Sequence, residues 1–522
     1  MPSSIGPSFR NADRAVQLIN SGDVVSICGA GGGMTEPTAI IDALVRRYRA
    51  ESEPKHLTVM HTSGLGDRGD RGMSPLALPG LIKRIIGGHW GQSPRLAEMA
   101  ERNEIEAYNF PQGTMSQLFR CAAAGQPGLL TKVGLGTFID PRNQGGKLNE
   151  ITTEELIQIV TLANEEWMFY PAIAPDVAII RGTTCDLDGY VTMEDEISYL
   201  DTLAMAQAAH NNGGTVIAQV KRVVKAGSLH PKSVRIPGFI VDAVVEVPEQ
   251  KQLYVSEVDR FISGDFQAVS EKSNFLKLSE RKVIARRALM EVSPGDVGNV
   301  GVGIPDGVGP VAREEGIADS FTLTVEHGTC GGESLQGIFF GASINMRAML
   351  DMPSQFDFYH GGGLDIALLS FAEVDRMGNV NVHKFNGKIM GTGGFIDICQ
   401  TSKKVVFCGT LTAGSLKVTA GDFGLQIDQE GKFRKFIDDC QEITFSGPDA
   451  LARGQEVIYV TERAVFRLNR EGLVLCEAAP GIDIEHDIFE QMGFRPQIAE
   501  NLTMMDSRLF MDVQMGLENE WR

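Results

Sequence analysis

The stretch Phe321-Thr-Leu-Thr-Val-Glu-His-Gly-Thr-Cys-Gly-Gly332 organises the rest of the chain. Its apolar and β-branched start predicts a buried strand over residues 321–325. Glu326 follows this strand, and the next glycines allow a sharp turn close to a ligand. Because ligands of open α/β sheets bind outside the carboxyl ends of the strands, Glu326 is placed for chemistry. These residues alone slightly favour a different role, in which Glu326 caps a following helix.

The length and composition of the chain limit its class. With 522 residues it exceeds one hydrophobic core, which predicts two or more domains. A net charge of −19 argues against nucleic acid as a partner, because neutralising phosphates needs clustered Lys and Arg. We expect no membrane span and no secretory signal, since no suitable apolar run is present. The eight scattered cysteines favour reduced thiols, a cytoplasmic setting and no structural metal.

The first half opens with the pattern of a βαβ unit. A strand is predicted over Val24–Cys28, followed by the loop Gly29-Ala-Gly-Gly-Gly33 and a helix over about 37–49. The N-terminus of that helix can hold an anion, although a tight turn without a ligand also explains the loop. The glycine spacing excludes a P-loop and does not fit the dinucleotide fingerprint. Residues 79–86 are predicted to be helical.

Segments of the two halves resemble each other. Ser21-Gly-Asp-Val-Val-Ser-Ile-Cys-Gly-Ala-Gly31 and Pro294-Gly-Asp-Val-Gly-Asn-Val-Gly-Val-Gly303 both predict a strand, a glycine loop and a helix. Further along, Cys185-Asp-Leu-Asp-Gly-Tyr-Val191 corresponds to Val374-Asp-Arg-Met-Gly-Asn-Val380. This internal similarity predicts two related α/β halves.

The repeat sets the expected fold class and domain organisation. We predict two related open α/β domains in tandem, over residues 1–255 and 279–522, joined by a polar linker over 256–278. Ligand pockets concentrate at domain interfaces, so we expect the active site in the cleft between the domains. Near the end, one strand is predicted over 459–466, and a helix with a polar tail beyond about 485.

Five motifs together resemble a known family. They are Gly29-Ala-Gly-Gly-Gly33, Pro111-Gln-Gly-Thr114, Gly134-Leu-Gly-Thr-Phe-Ile-Asp140, Thr324-Val-Glu326 and Gly391-Thr-Gly-Gly-Phe-Ile-Asp397. In this order they resemble the family I coenzyme A transferases, over about residues 20–510. Within that family the chain is most similar to single-chain acetate or propionate CoA-transferases. It is more distantly similar to succinyl-CoA:3-oxoacid transferases.

The resemblance implies an activity and a nucleophile. CoA moves from a short-chain acyl-CoA (acetyl, propionyl or butyryl) to a free carboxylate, by a ping-pong mechanism. The family's nucleophile corresponds to Glu326, which would form a glutamyl-CoA thioester. A carboxylate is already ionised at pH 7, so it needs no base and no metal. The resemblance also implies coenzyme A as a substrate, no permanently bound cofactor, acyl-CoA and small carboxylic acids as partners, and a homodimer or homotetramer.

Glycine loops carry over from the family as the surroundings of Glu326. Gly393 and Gly394 correspond to its second glycine loop, so we predict their backbone N–H groups as oxyanion donors. Gly31 and Gly32 are predicted to line the site from the first half.

Side chains that bind the substrates carry over as well. Gln112 is predicted to touch the reacting carboxylates and Asn381 the acyl oxygen. The predicted CoA-binding residues are Thr412, Gly414 and Lys417. The residues alone leave two alternatives open, a turn-stabilising amide for Gln112 and a solvated surface side chain for Lys417.

The turn after Glu326 departs from the family pattern. Relatives read Val-Glu, a small residue and then Gly-Pro-Ile-Gly-Gly, whereas His327 and Thr329-Cys330 stand here. We expect the bulkier His327 to reshape the acyl pocket, which leaves the chain-length preference open. No base is placed beside Cys330 by the sequence, so we interpret it as a packing residue.

Other functions compete with this interpretation. A 3-oxoacid CoA-transferase would use succinyl-CoA and acetoacetate, and an acyl-CoA hydrolase would release CoA without an acceptor acid. An α-subunit-like component of a lyase complex would need partner subunits. A non-catalytic acyl-CoA-binding protein would have no reason to keep Glu326.

Overall fold

The computed structural model describes residues 6–269 and 275–521. The first half builds a sheet of eight strands that pair in parallel throughout. In spatial order the strands are Ser8–Phe9, Ala243–Glu246, Thr215–Val220, Val177–Arg181, Val24–Ile27, Leu57–His61, Ile82–Gly87 and Glu106–Asn109. Parallel sheets are covered on both faces, and Val177–Arg181 is accordingly buried at every position.

The second half builds a mixed sheet of ten strands. In spatial order they are Ala348–Met349, Thr329–Cys330, Thr322–Thr324, Val297–Val300, Ile366–Ser370, Lys404–Cys408, Glu456–Val460, Ala464–Asn469, Gly472–Ala478 and Gln497–Met504. The five strands from Thr322–Thr324 to Glu456–Val460 are parallel. Antiparallel pairs extend the sheet on both sides.

The central strands of the two sheets follow the same order. Val24–Ile27 and Val297–Val300 each lie in the middle of their sheet, with the next strand along the chain on one side and three later strands on the other. The strand Val24–Ile27 thus corresponds to Val297–Val300, and Leu57–His61 to Thr322–Thr324. The two halves therefore share the topology that the internal similarity predicts, and the predicted α/β class is confirmed.

Helices and smaller sheets surround these two layers. The α-helices of the described ranges are α1 (Ala12–Ala15), α2 (Thr38–Glu51), α3 (Pro94–Glu101), α4 (Gln112–Ala123), α5 (Thr202–Asn211), α6 (Glu280–Leu289), α7 (Val308–Glu314), α8 (Met352–His360), α9 (Phe395–Thr401), α10 (Gly447–Ala452) and α11 (Leu517–Glu520). The smaller sheets of the first half comprise Gly128–Thr131, Gln158–Leu162 and Glu165–Pro171, and Thr184–Asp186, Val191–Thr192, Arg222–Val224 and Val234–Ile236. None of the helices in the described ranges has the length and apolar character to span a membrane.

The two halves share one hydrophobic core, and helix α4 of the first half packs against α8 and α9 of the second. One cluster of buried apolar residues includes Ile179 from the first sheet and Phe407 from the second. Between Glu246 and Glu280 the described residues form no helix or strand. Part of that segment is fixed on the first half, where Arg181 donates to the backbone oxygen of Lys251 at 2.5 Å. The domain limits at 255 and 279 stay predictions.

Three local predictions of secondary structure are wrong, in each case because pairing with other strands determines the conformation of the segment. The segment 79–86 is not a helix, because Ile82–Gly87 joins the first sheet between two parallel neighbours. The single strand predicted over 459–466 is a hairpin of Glu456–Val460 and Ala464–Asn469. The region beyond 485 contains the strand Gln497–Met504, which pairs with an apolar neighbour.

Candidate active site

A cavity of about 920 Å³ lies at the carboxyl ends of strands from both sheets. Its wall includes residues of the first half and of the second half, as expected for a site in the cleft between them. These residues include Gly31, Gly32, Ser63, Gly64, Arg68, His89, Gln112, Glu326, His327, Gly393 and Gly394. A larger cavity of about 1280 Å³ lies near the other end of α4, but neither Glu326 nor any other predicted site residue lines it. We therefore take the smaller cavity as the candidate active site.

Glu326 is held in a tight turn between two strands. The strand Thr322–Thr324 leads into it, and Thr329–Cys330 pairs back so that Thr324 faces Cys330. The N–H group of Gly328 donates to the oxygen of Val325 at 3.0 Å and closes the turn. Since a strand follows and not a helix, the interpretation of Glu326 as a helix cap is wrong.

The carboxylate of Glu326 is buried without a full set of partners. The residue is 8% exposed, and no described residue hydrogen-bonds Oε2. The Nδ1 atom of His327 lies 3.8 Å from Oε1, which is too long for a hydrogen bond. A buried polar group without a partner costs about 1–3 kcal/mol, and more when it is charged. The fold thus keeps the buried Glu326 carboxylate short of one hydrogen-bond partner at the expense of stability.

His327 beside it is an uncharged wall of the cavity. Burial lowers the pKa of its imidazole, while the neighbouring Glu326 acts in the opposite direction. Its ring packs edge-on against Phe340, with centroids 6.1 Å apart. His327 thus lies in the cavity wall, where we expect it to reshape the acyl pocket. Burial raises the pKa of the Cys330 thiol, which agrees with a packing role.

Backbone hydrogen bonds join the two halves next to Glu326. Gln112 donates its N–H to the oxygen of Gly393 at 3.0 Å, and Gly393 donates to the oxygen of Gly88 at 2.8 Å. Beside them, the N–H of Trp90 donates to the oxygen of Met390 at 2.9 Å. We call these three bonds the seam. They fix the loop that carries Gly393 and the backbone of Gln112 relative to each other.

The seam corrects one predicted role. Gly393 lines the cavity, but its N–H group already has an acceptor and is not free for an oxyanion. For the N–H group of Gly394 the structure gives no acceptor among the described residues, and this glycine lies close to the nucleophile. A Cβ atom on Gly394 would be 3.5 Å from Cγ of Glu326. Gly394 therefore stays a predicted oxyanion donor.

Gln112 stands at the predicted place, on the first turn of α4. It is 2% exposed, lines the cavity and makes a weak contact from Nε2 to Sδ of Met352 at 3.2 Å. The N-terminus of α4 is held by the buried carboxylate of Asp397, which accepts from the N–H groups of Gly113 and Thr114 at 3.0 Å each. The sequence reasoning assigned no role to Asp397, although it closes the Gly391–Asp397 motif.

The remaining predicted binding residues are not brought to this cavity. The amide of Asn381 is used within the protein, since Nδ2 donates to Glu373 at 2.7 Å and to the backbone oxygen of Lys384 at 2.8 Å. Thr412 bonds Glu430, Gly414 packs on Phe433, and Lys417 lies on an exposed strand edge. Asn381 therefore has no free amide for an acyl oxygen, and the other three lie outside the cavity wall.

Two cationic side chains and the histidine His89 of the cavity wall were missed in the sequence analysis, whereas His61 lies behind that wall. Arg281 is bound to Asp306 at 3.1 Å, whereas the guanidinium of Arg68 has no hydrogen bond or ion pair to a described residue. Burial lowers the pKa of His61 and of His89 to about 4 each. Arg68 belongs to a charged loop that the sequence shows, but only the fold brings it to the cavity.

Comparison with known proteins decides the family. Residues 9–247 match the sequence profile described as Coenzyme A transferase. Over 507 residues the chain is 59% identical to acetate CoA-transferase YdiF of Escherichia coli (strain K12), covering 97% of this chain and 96% of that protein. The chain belongs to the coenzyme A transferase family. The resemblance identified from the five motifs is thereby confirmed.

Further relatives agree with this membership. Caffeate CoA-transferase of Acetobacterium woodii is 40% identical over 519 residues, covering 98% of each chain. The crystal structure of acyl-CoA transferase YdiF from Escherichia coli O157:H7, as a thioester complex with CoA, superposes with a TM-score of 0.93 at 57% identity. It covers 98% of this chain and 97% of that one. This CoA-transferase therefore moves CoA between an acyl-CoA and a carboxylate, as predicted.

Proposed function

We propose that this CoA-transferase uses Glu326 as its nucleophile and acts on short-chain acyl-CoA and acetate-like acids. The observation that carries the proposal is the buried Glu326 carboxylate, with one oxygen unpartnered, in a cavity shared by both halves. The acetate named for the YdiF relative supports the substrate class. The CoA thioester complex of the O157:H7 protein supports a covalent route.

The proposed reaction needs no proton transfer at any step. The Glu326 carboxylate attacks the thioester carbon of the acyl-CoA, a C–O bond forms and the C–S bond breaks, giving a mixed anhydride and CoA thiolate. The thiolate then attacks the glutamyl carbon, which forms the Glu326–CoA thioester and releases the first acid as its carboxylate. The acceptor carboxylate repeats both steps in reverse. Splitting the transfer in this way predicts ping-pong kinetics.

Neighbouring groups have separate tasks in this proposal. The N–H group of Gly394 stabilises the oxyanion on the glutamyl carbon, because it lies next to the Glu326 side chain. Gln112 orients the reacting carboxylates from the first turn of α4. Gly31 and Gly32 form the opposite wall, where a Cβ atom on Gly32 would lie 2.3 Å from the backbone oxygen of Ile338. This close approach leaves no room for a side chain at position 32.

The phosphates of CoA are assigned to the arginine side chains in the cavity wall. Arg68 is the better candidate, because the carboxylate of Asp306 already neutralises Arg281. Arg68 replaces Lys417 as the proposed phosphate-binding residue, because Lys417 lies outside the cavity wall. A cytoplasmic setting remains a prediction from the scattered cysteines, and a homodimer or homotetramer remains one from the family resemblance.

Intact-protein mass spectrometry tests the covalent step. Wild-type protein incubated with acetyl-CoA and no acceptor should gain one CoA-sized adduct that maps to Glu326 and is lost on borohydride reduction. Glu326→Gln should gain none. Glu333→Gln is the matched control, because Glu333 lies on the same loop system but outside the cavity wall, and should behave like the wild type. Free CoA accumulating without an adduct would indicate hydrolysis and refute the proposal.

A further inference from the structure

His89 stands in the wall of the catalytic cavity, two residues after the end of the strand Ile82–Gly87. Its backbone is fixed, since it forms a β-bridge with Gly391 and the next residue, Trp90, is part of the seam. A Cβ atom on Gly393 would lie 3.7 Å from Cδ2 of the imidazole. The ring is therefore held beside the glycine loop that approaches Glu326.

The two ring nitrogens of His89 have different surroundings. Nδ1 is sealed from solvent without a hydrogen-bond partner and faces Gly64, where a Cβ atom would lie only 2.7 Å away. Nε2 also has no partner among the described residues, but it is not one of the sealed atoms. A buried N–H without an acceptor is costly, so we assign the proton to Nε2, on the cavity side.

The imidazole is uncharged at neutral pH. Burial lowers the pKa of His89 to about 4, and the nearby Arg68, His61 and His327 act in the same direction. A charged imidazole in the same cavity would attract the Glu326 carboxylate and make it a weaker nucleophile. An uncharged ring avoids that pairing and still offers one N–H donor. Neutral histidines acting as electrophiles are known in other enzymes.

We propose that His89 is a catalytic residue whose Nε2–H donates a hydrogen bond to the acyl carbonyl oxygen of the substrate as this oxygen becomes an oxyanion. The inference rests on the proposed function, because that oxyanion forms when Glu326 attacks the thioester carbon. No proton moves: the C–O bond to Glu326 forms, the oxyanion is held, and its collapse breaks the C–S bond. His89 thus serves the substrate carbonyl, and Gly394 serves the glutamyl carbonyl.

Two uncharged substitutions distinguish the nitrogens. The amide nitrogen of a glutamine reaches the position of Nε2, whereas that of an asparagine reaches the position of Nδ1. With acetyl-CoA as donor and propionate as acceptor, His89→Asn should lower kcat about 100-fold, the effect of losing one oxyanion donor, with little change in KM. His89→Gln should stay within about fivefold of the wild type. The ratio of wild-type to His89→Gln kcat should be constant between pH 6 and 8, because the ring does not titrate there.

The outcomes separate this inference from the proposed function. Single-turnover formation of the Glu326–CoA adduct should slow in His89→Asn by the same factor as kcat, with an unchanged circular dichroism spectrum. Activity retained in both variants, lost equally in both, or lost only in His89→Gln would overturn the role of Nε2. If the wild type itself formed no adduct, the proposed function would fail regardless of His89.

Discussion

Adding one methyl group at Gly113 should displace the N-terminus of α4. A Cβ atom there would lie 2.2 Å from Cδ1 and 2.4 Å from Cγ of Phe356. Carbon atoms in contact need about 3.5 Å, so Gly113→Ala requires a shift of roughly 1.3 Å. Phe356 cannot move away easily, because it is fully buried and its ring packs edge-on against Tyr359. The N-terminus of α4 must therefore move instead.

That shift should reach the chemistry through Gln112. Gln112 precedes Gly113, lines the cavity and forms part of the seam, and Asp397 holds the same turn. A misplacement of about 1 Å can cost about 100-fold in rate, so we expect kcat of Gly113→Ala to fall about 100-fold. The assay follows transfer of CoA from acetyl-CoA to propionate by chromatography of the CoA esters.

Gly125→Ala is the matched control just beyond the other end of α4. Gly125 has φ +65, and no atom lies within 4 Å of a Cβ placed there. This substitution strains the backbone by about 1 kcal/mol but displaces nothing, so kcat should stay within about twofold. The reasoning would be refuted if Gly113→Ala kept kcat within about threefold of the wild type, because the packing would then have relaxed without moving Gln112.

Two further changes test the cavity mouth and the glycine loop. Arg68→Ala should raise KM for acyl-CoA about tenfold by removing a phosphate partner, while Lys417→Ala changes it less than twofold; equal effects of the two substitutions would contradict the assignment. Burial raises the pKa of Glu36 to about 7 in the folded protein from 4.5, although the Tyr254 hydroxyl donates to it. The folded state therefore holds this proton more tightly, so the wild type loses stability as pH rises from about 4.5 to 7 and no more above that. The melting temperature of Glu36→Gln minus that of the wild type, measured by scanning fluorimetry, should increase from pH 5 to pH 8. A difference that stays constant over this range would contradict the prediction.

Local sequence patterns predict the elements whose packing agrees with them. Val24–Ile27 and Val177–Arg181 are short apolar runs between turn residues, and both are parallel strands in the core. The segment around Ile82–Gly87 misled the prediction because a short apolar run does not distinguish a strand from a buried helix. Its strand state depends on neighbours on both sides in the sheet, which local periodicity does not contain.

The residues of the candidate site that stand in a sequence motif could be predicted. Glu326, Gln112 and Gly394 stand in motifs and reach one cavity. The loss of Gly393 as a donor could not be predicted, because its acceptor, Gly88, is remote in sequence. His89 was likewise missed, since only the fold brings it to the glycine loop.

The seam also determines how ligands exchange. Its three backbone hydrogen bonds cross between the halves at the floor of the cavity, from Gln112 to Gly393, from Gly393 to Gly88 and from Trp90 to Met390. Parting the halves would break all three at once and leave buried polar groups unpaired, at about 1–3 kcal/mol each. We therefore expect ligands to exchange without parting of the halves, past the exposed Arg68 in the cavity wall. In the proposed mechanism the departing and the incoming acid use the same cavity beside the CoA on Glu326, so the first acid has to leave before the second can bind.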